Sequence, residues 1–246
     1  MASNYSTNRA IASVDIRLGT ETRRMGKILD ILGKEFKPWK RQRKPYEVMV
    51  WTVLSQHTND RNTTVASAAL LKRFKSWQGL AKGDISEIKK LVRPAGLQKA
   101  KAKHLKEISN AVLYKYGGDL RKVLKMPAER ARKELLSLPG VGYKTADVVL
   151  AFAAGRDVIA VDTHVFRVSK RLGFAFAGDN HEEVKARLER ATPQGRKVEA
   201  HTLLIQLGRK YCRALAPLHE KCPVRNLCPM WNKKLIIPRV QQHSTT

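Results

Sequence analysis

Acidic residues are scarce in this chain. It carries 21 aspartates and glutamates against 48 lysines and arginines in 246 residues, a formal net charge of +27. An excess of one sign on this scale repels itself unless a polyanion balances it. Nucleic acid is the leading partner, bound through counterion release from phosphates. The alternative that composition leaves is a soluble, strongly basic protein of a hot or saline habitat. Cysteine is scarcer still. Cys212, Cys222 and Cys228 are the only three, all near the C-terminus. An odd, clustered set without an export signal argues against a disulfide scaffold and favours a metal site. Long hydrophobic runs are missing too. The longest candidate, "VVLAFAAG", falls far short of the ~20 residues of a membrane span. The first twenty residues lack a continuous apolar core, which speaks against a secretory signal. With Arg9, Arg17 and few acids they read as a disordered basic tail, with only a faint transit-peptide character. The expectation is a cytoplasmic, nucleoid-associated monomer with no membrane partner.

Sustained period-two alternation is also absent, and "DVIAVD" (157–162) is the one strand-like piece. Helical signals run along the rest. "ETRRMGKILDILGKEF" (21–36) has an apolar stripe at Met25, Ile28, Leu29 and Leu32. "PYEVMVWTVLSQ" (45–56) opens with proline and is apolar almost throughout, so it predicts a buried helix. Helices follow at 59–74, at 84–92 behind an aspartate cap, and at 98–116, ending at "YGGD". Short helices at 119–125 and 128–137 precede others at 143–154, 162–172, 180–191 and 196–211. Hydrophobic residues make up 43%, enough for a sizeable core at this length. The fold class is all-α. The basic residues cluster in "KPWKRQRK" (37–44) and "LQKAKAKHLK" (97–106).

"LSLPGVGYKTADVVL" (136–150) places a glycine turn directly before an apolar helix. Pro139 ends the preceding helix, and Gly140 and Gly142 permit backbone angles and close approach that a side chain would forbid. Backbone N–H groups at such a turn, with a helix N-terminus behind them, form an anion site suited to a DNA phosphate. By itself the turn could be a plain helix connection.

Five ordered motifs lie between about Pro45 and Cys228: "VLSQHTND", "PAGLQKAKA", the hairpin, "VDTH" (161–164) and the cysteine cluster. Together they resemble the helix–hairpin–helix, Gly/Pro–Asp superfamily of base-excision DNA glycosylases, in its endonuclease III branch. The resemblance implies a two-lobed fold. One lobe, 39–156, is a helical bundle with the hairpin. The other, 1–38 with 157–246, carries an iron–sulfur cluster loop at 212–228. It implies a DNA groove between the lobes, with Lys144 and Asp162 facing each other across it. It implies a bifunctional glycosylase and AP lyase acting on oxidised pyrimidines and abasic sites in double-stranded DNA. In that reading the Lys144 amine attacks C1′, displaces the base, forms a Schiff base and cuts the strand by β-elimination. An ordinary lysine, with a pKa of about 10.4, is protonated at neutral pH. It becomes a nucleophile only where desolvation or positive potential favours the neutral amine. A largely buried pocket and the helix N-terminus would supply both.

Asp162 also reads as a helix N-cap, while the resemblance gives it the stabilisation of the cationic sugar. Asp147 reads as solvated or structural, His164 as structural, and Tyr143 as a pocket or backbone contact. Alternative functions are a glycosylase for thymine or uracil mispaired with guanine, and a non-catalytic hairpin DNA-binding protein.

A base must leave the stack before an enzyme can act on it. The resemblance supplies two wedge loops. One offers Gln56 or His57, and the motif alignment leaves both open. The other offers Leu97, which otherwise reads as a buried connecting leucine. Lys99, Lys101 and Lys103 read as phosphate neighbours or solvated charges. The endonuclease III branch carries Cys-x6-Cys-x2-Cys-x5-Cys around a [4Fe–4S] cluster. Here Cys212, Cys222 and Cys228 take the first, third and fourth positions, and His219 stands at the second. Histidine as the fourth ligand, a three-cysteine cluster, a Cys3His zinc site and no metal all remain open.

Overall fold

The computed structural model describes residues 3–39 and 44–236, with side chains from 19 to 39 and from 44 to 232. Residues 40–43, the heart of the basic cluster at 37–44, lie outside the described residues. All regular elements among those described are helical. "DVIAVD" forms no strand. The chain divides into two compact units, residues 40–160 and residues 1–39 with 161–246.

The 40–160 unit starts with α2 (Pro45–Leu54), with proline in its first turn. α3 (Asp60–Arg73) starts where the Asn59 side chain accepts the Asn62 N–H. α4 (Trp77–Lys82) went unread in the sequence. It has six residues, a glycine in its first turn, and a Ser76 cap on the Gly79 N–H. It buries Trp77 edge-on against Tyr46, with ring centroids 4.8 Å apart. α5 (Ile85–Val92) is capped by Asp84, whose carboxylate accepts the Ser86 and Glu87 N–H groups. A 3-10 turn at Arg93–Ala95 leads into the long basic α6 (Gln98–Tyr116). α6 packs against α2, α4 and α5. Met49, Leu54, Leu80, Ile88, Leu105 and Ile108 of these helices, with Leu70 of α3, are almost wholly shielded from solvent. Short α7 (Arg121–Leu124) and α8 (Ala128–Leu136) precede α9 (Tyr143–Phe152). α9 packs on both α8 and α2.

In the other unit α1 runs Ser3–Glu35, reaching back through residues that read from sequence as a disordered tail. Its predicted stripe, Met25, Ile28, Leu29 and Leu32, is fully buried. α1 packs against α11 (His181–Ala191) and α12 (Lys197–Lys210). α10 (Thr163–Arg171) lies on α12. α13 (Pro229–Ile236) follows the cysteine loop. Each predicted helix in both units is present, with ends shifted by a residue or two apart from α1.

Candidate functional site

The hairpin between α8 and α9 is seated by Leu138 and Val141, both buried. The Val141 N–H donates to the Leu138 carbonyl at 3.1 Å. The two glycines have different reasons to be there. Gly140 has φ +71°, and a Cβ there would meet the His104 ring at 2.9 Å. Conformation and space both require glycine. Gly142 has φ −91°, which any residue adopts, and a Cβ there would meet nothing within 4 Å. The sequence expectation that Gly142 serves a special backbone angle is therefore corrected. Its missing side chain leaves the start of α9 open to approach. No side chain caps that start. First-turn N–H groups with the positive end of the helix dipole behind them suit an anion.

Lys144 is the second residue of α9. It is half-buried, less enclosed than the pocket expected from sequence. Tyr143 before it is 53% exposed. Arg132 of α8 lies over the Tyr143 ring, with its guanidinium carbon 5.2 Å from the centroid. The same guanidinium grips Asp147 at 2.8 and 3.2 Å. Asp147 is 1% exposed. It is therefore structural, and the solvated alternative is corrected. The Gln56 amide reaches 3.5 Å from the Thr145 hydroxyl, next to Lys144. This brings the 53–60 loop to the start of the lysine's helix.

His57, one residue on, is exposed and has φ 51°. Leu97 is 56% exposed with φ 48°. It is not a buried connecting leucine. A left-handed conformation costs about 1–2 kcal/mol at a non-glycine residue. Both candidate wedge loops thus hold an exposed side chain on strained backbone. The lysines behind Leu97 differ among themselves. Lys99 is exposed, and Lys103 is exposed beside Glu107 at 3.8 Å. Lys101 is neither a solvated charge nor a phosphate neighbour. It is 2% exposed, and its ammonium donates to the carbonyls of Leu54, Gln56 and Ala95 at 2.8, 2.6 and 2.8 Å. Burial holds its pKa below the ordinary lysine value.

In the other unit Asp162 caps α10, its Oδ1 accepting the Val165 N–H at 2.8 Å. It is half-buried. His164 packs on Gly208 of α12, where a Cβ would meet its own Cβ at 3.0 Å. Its Nδ1 lies 3.2 Å from the Arg167 guanidinium, a structural arrangement. Arg167 and Arg171 then hold the start of the cysteine loop. Arg167 donates to the Cys212 carbonyl at 3.0 Å, and Arg171 to those of Arg213 and Ala214 at 2.6 and 3.0 Å. Leu215 projects from this loop, 87% exposed, beside Ala216 with φ 46°.

Cys212, His219, Cys222 and Cys228 line one cavity with Leu207, Val224 and Trp231. The His219 ring stacks on Trp231 at 6.0 Å. Burial pushes the Cys222 thiol up to about 11, and the neighbouring Cys212 and Cys228 add to the effect. Among the described residues no three His, Cys, Asp or Glu side chains gather about one point to hold a single ion. Three thiols and an imidazole set around one cavity are soft donors of the kind that hold a zinc ion or an iron–sulfur group.

Lys101 reads from the sequence as a phosphate neighbour or a solvated charge, and two further working residues carry no signal there: Arg132, and Arg24, which donates to the carbonyls of Leu172 and Leu227 at 2.7 and 3.2 Å. Their partners are backbone groups and a buried acid that come together only in the fold.

Residues 50–194 match the model of the HhH-GPD superfamily base excision DNA repair proteins. Endonuclease III of Thermotoga maritima is 35% identical over 190 residues, covering 77% of this chain and 85% of the relative. Endonuclease III of Escherichia coli K12 is 34% identical, covering 75% and 83%. A solved endonuclease III trapped as a covalent intermediate with DNA superposes with a TM-score of 0.76 at 32% identity, covering 87% of this chain and 98% of that one. A thermostable thymine-DNA glycosylase superposes at 0.74 with 25% identity, covering 90% and 99%.

Proposed function

The chain belongs to the HhH-GPD superfamily of base excision DNA repair proteins and is a DNA glycosylase with AP lyase activity; we propose that Lys144 and Asp162 carry its chemistry and that oxidised pyrimidines of the thymine glycol type are its substrates. The observation that supports this most is Lys144 at the uncapped start of α9, directly behind a turn that Gly142 leaves open. A DNA phosphate binds the first-turn N–H groups and brings a flipped nucleotide to the amine.

The neutral Lys144 amine attacks C1′. The glycosidic bond breaks and its electron pair leaves with the base, which takes up a proton. Ring opening gives the Schiff base between Nζ and C1′. Loss of a proton from C2′ then expels the 3′ phosphate and cuts the strand, and water later releases the lysine. Asp162, ionised, offsets the positive charge on the sugar as the base departs. Its use as a cap fixes the carboxylate in place. Asp147 is engaged by Arg132, so it is not the carboxylate of the reaction. Gln56, beside Thr145, lines the base pocket, and Tyr143 contacts the backbone or the flipped nucleotide. His57 and Leu97 are the wedges.

Cys212, Cys222 and Cys228, with His219 at the motif's second position as the remaining ligand, would hold a [4Fe–4S] cluster. That group supplies structural cross-linking of the 212–228 loop, which presents Arg213 and Leu215 to the duplex. Arg167 and Arg171 support the loop from beneath.

The test is incision of duplexes bearing thymine glycol, dihydrouracil, an abasic site, or thymine or uracil opposite guanine. Preference for the oxidised pyrimidines supports the proposal. Preference for the mismatched bases, with thymine glycol left intact, overturns it.

A further inference from the structure

Lys101 has no task in the chemistry above, yet it is among the largest fully buried side chains in the protein. An ammonium has three protons to donate. All three are used on backbone carbonyls: Leu54, Gln56 and Ala95. Leu54 is the last residue of α2, and Ala95 ends the 3-10 turn. Helix ends leave carbonyls without intrahelical partners and carry negative partial charge, which a buried cation satisfies. The Gln56 carbonyl is joined through its peptide bond to His57. Ala95 lies two residues before Leu97, and the Lys101 N–H itself donates to the Leu97 carbonyl at 2.9 Å. One residue of α6 therefore grips two loops that are far apart in sequence. Each loop carries an exposed, left-handed, non-glycine side chain next to the grip.

We propose that Lys101 is a positioning residue for base extrusion, whose ammonium ties the His57 loop to the Leu97 turn so that both side chains project from one rigid base. This rests on the glycosylase reading above. A wedge works only if it does not yield when the displaced base pushes back toward the stack. Strained backbone relaxes unless its surroundings over-determine it. Lys101 supplies that constraint to both loops at once, and with its donors used it has none left for a phosphate.

Lys101→Met keeps the unbranched stem as far as Cε and removes the donors. Three quantities are read on it and on wild type. They are single-turnover excision of thymine glycol from duplex, the fluorescence rise of 2-aminopurine placed beside the lesion, and strand cleavage of a single-stranded abasic oligonucleotide. The last needs no extrusion. Lys101→Met should lose tenfold or more in duplex excision and most of the fluorescence rise, with single-stranded cleavage within about threefold of wild type. Equal losses on duplex and single strand, or undiminished duplex excision, would overturn the proposal. If Lys101→Met does not fold, as judged by circular dichroism, a cycle of His57→Ala, Leu97→Ala and the double variant on duplex excision decides. A double loss short of the product of the single losses supports a shared base, and losses that multiply overturn it. A wild type that cleaves abasic single strands yet excises no base from any duplex would sink the glycosylase reading instead.

Discussion

Arg132 holds both carboxylate oxygens of Asp147, at 2.8 and 3.2 Å, one turn along α9 from Lys144. The pair is well shielded, with side-chain exposures of 15% and 2%. Removing one member of such a pair leaves a buried charge without its partner, which costs about 3–5 kcal/mol. Arg132→Met should therefore lower unfolding stability by about that amount in urea titrations. Asp147→Asn keeps a hydrogen-bond acceptor and should cost less. A loss below about 1 kcal/mol for Arg132→Met would show that the pair does not anchor α9.

Asp162 has a structural duty that can be separated from its chemical one. Asparagine caps helices as well as aspartate, and alanine does not. Asp162→Asn should leave the melting temperature nearly unchanged while slowing base removal by about a hundredfold or more, an electrostatic loss of about 3 kcal/mol. Asp162→Ala should show the same chemical loss together with about 1 kcal/mol of lost stability. Thermal melts and single-turnover excision measure the two effects. Full activity in Asp162→Asn would remove the carboxylate from the reaction.

The basic surface is open to a similar dissection. Each phosphate contact contributes a slope near −0.9 in log K against log salt on duplex DNA. Exposed Lys99 lies two residues from Leu97, whereas Lys101 is turned inward. Binding of undamaged duplex should weaken steeply with salt in the wild type. Lys99→Ala should make the slope shallower by about 0.9, and Lys101→Met should leave it unchanged. A reversed outcome for the two lysines would contradict their placement.

His219 is the departure from the family's cysteine pattern. Iron and sulfide analysis of anaerobically purified protein should find a four-iron cluster in the wild type. His219→Cys should retain it at a lower potential, since an imidazole for thiolate exchange raises potentials in Rieske centres. His219→Ala should lose iron. Removal of the cluster by chelation should lower the melting temperature, because metal binding is coupled to folding. Stoichiometric zinc without iron would contradict the cluster.

Much of the helical frame was legible in the sequence, for reasons visible in single residues. Asp84 and Asp162 are caps in the sequence and caps in the fold. The stripe from Met25 to Leu32 is buried as its spacing requires. α4 was not legible, since a six-residue helix with an internal glycine shows too little period. Gly140 and Gly142 look alike in "PGVG", yet one is fixed by the His104 ring and the other only by open space. Lys101 was misread for a general reason. Its burial is decided by the carbonyl ends of α2 and the 93–95 turn, which no pattern local to α6 reveals. The role of Lys144 was legible only through the motif around it, because a lysine near a helix start is ordinary by itself.

The central claim is that the Lys144 amine forms a covalent bond with the sugar. Borohydride reduces a Schiff base to a stable secondary amine, so it converts the intermediate into a protein–DNA adduct visible on a denaturing gel. Wild-type protein incubated with a thymine glycol duplex and borohydride should give the adduct, and peptide mapping should place the DNA on Lys144. Lys144→Gln should give none while still binding the duplex. Undiminished trapping by Lys144→Gln, or an adduct mapped to another residue, would contradict the account.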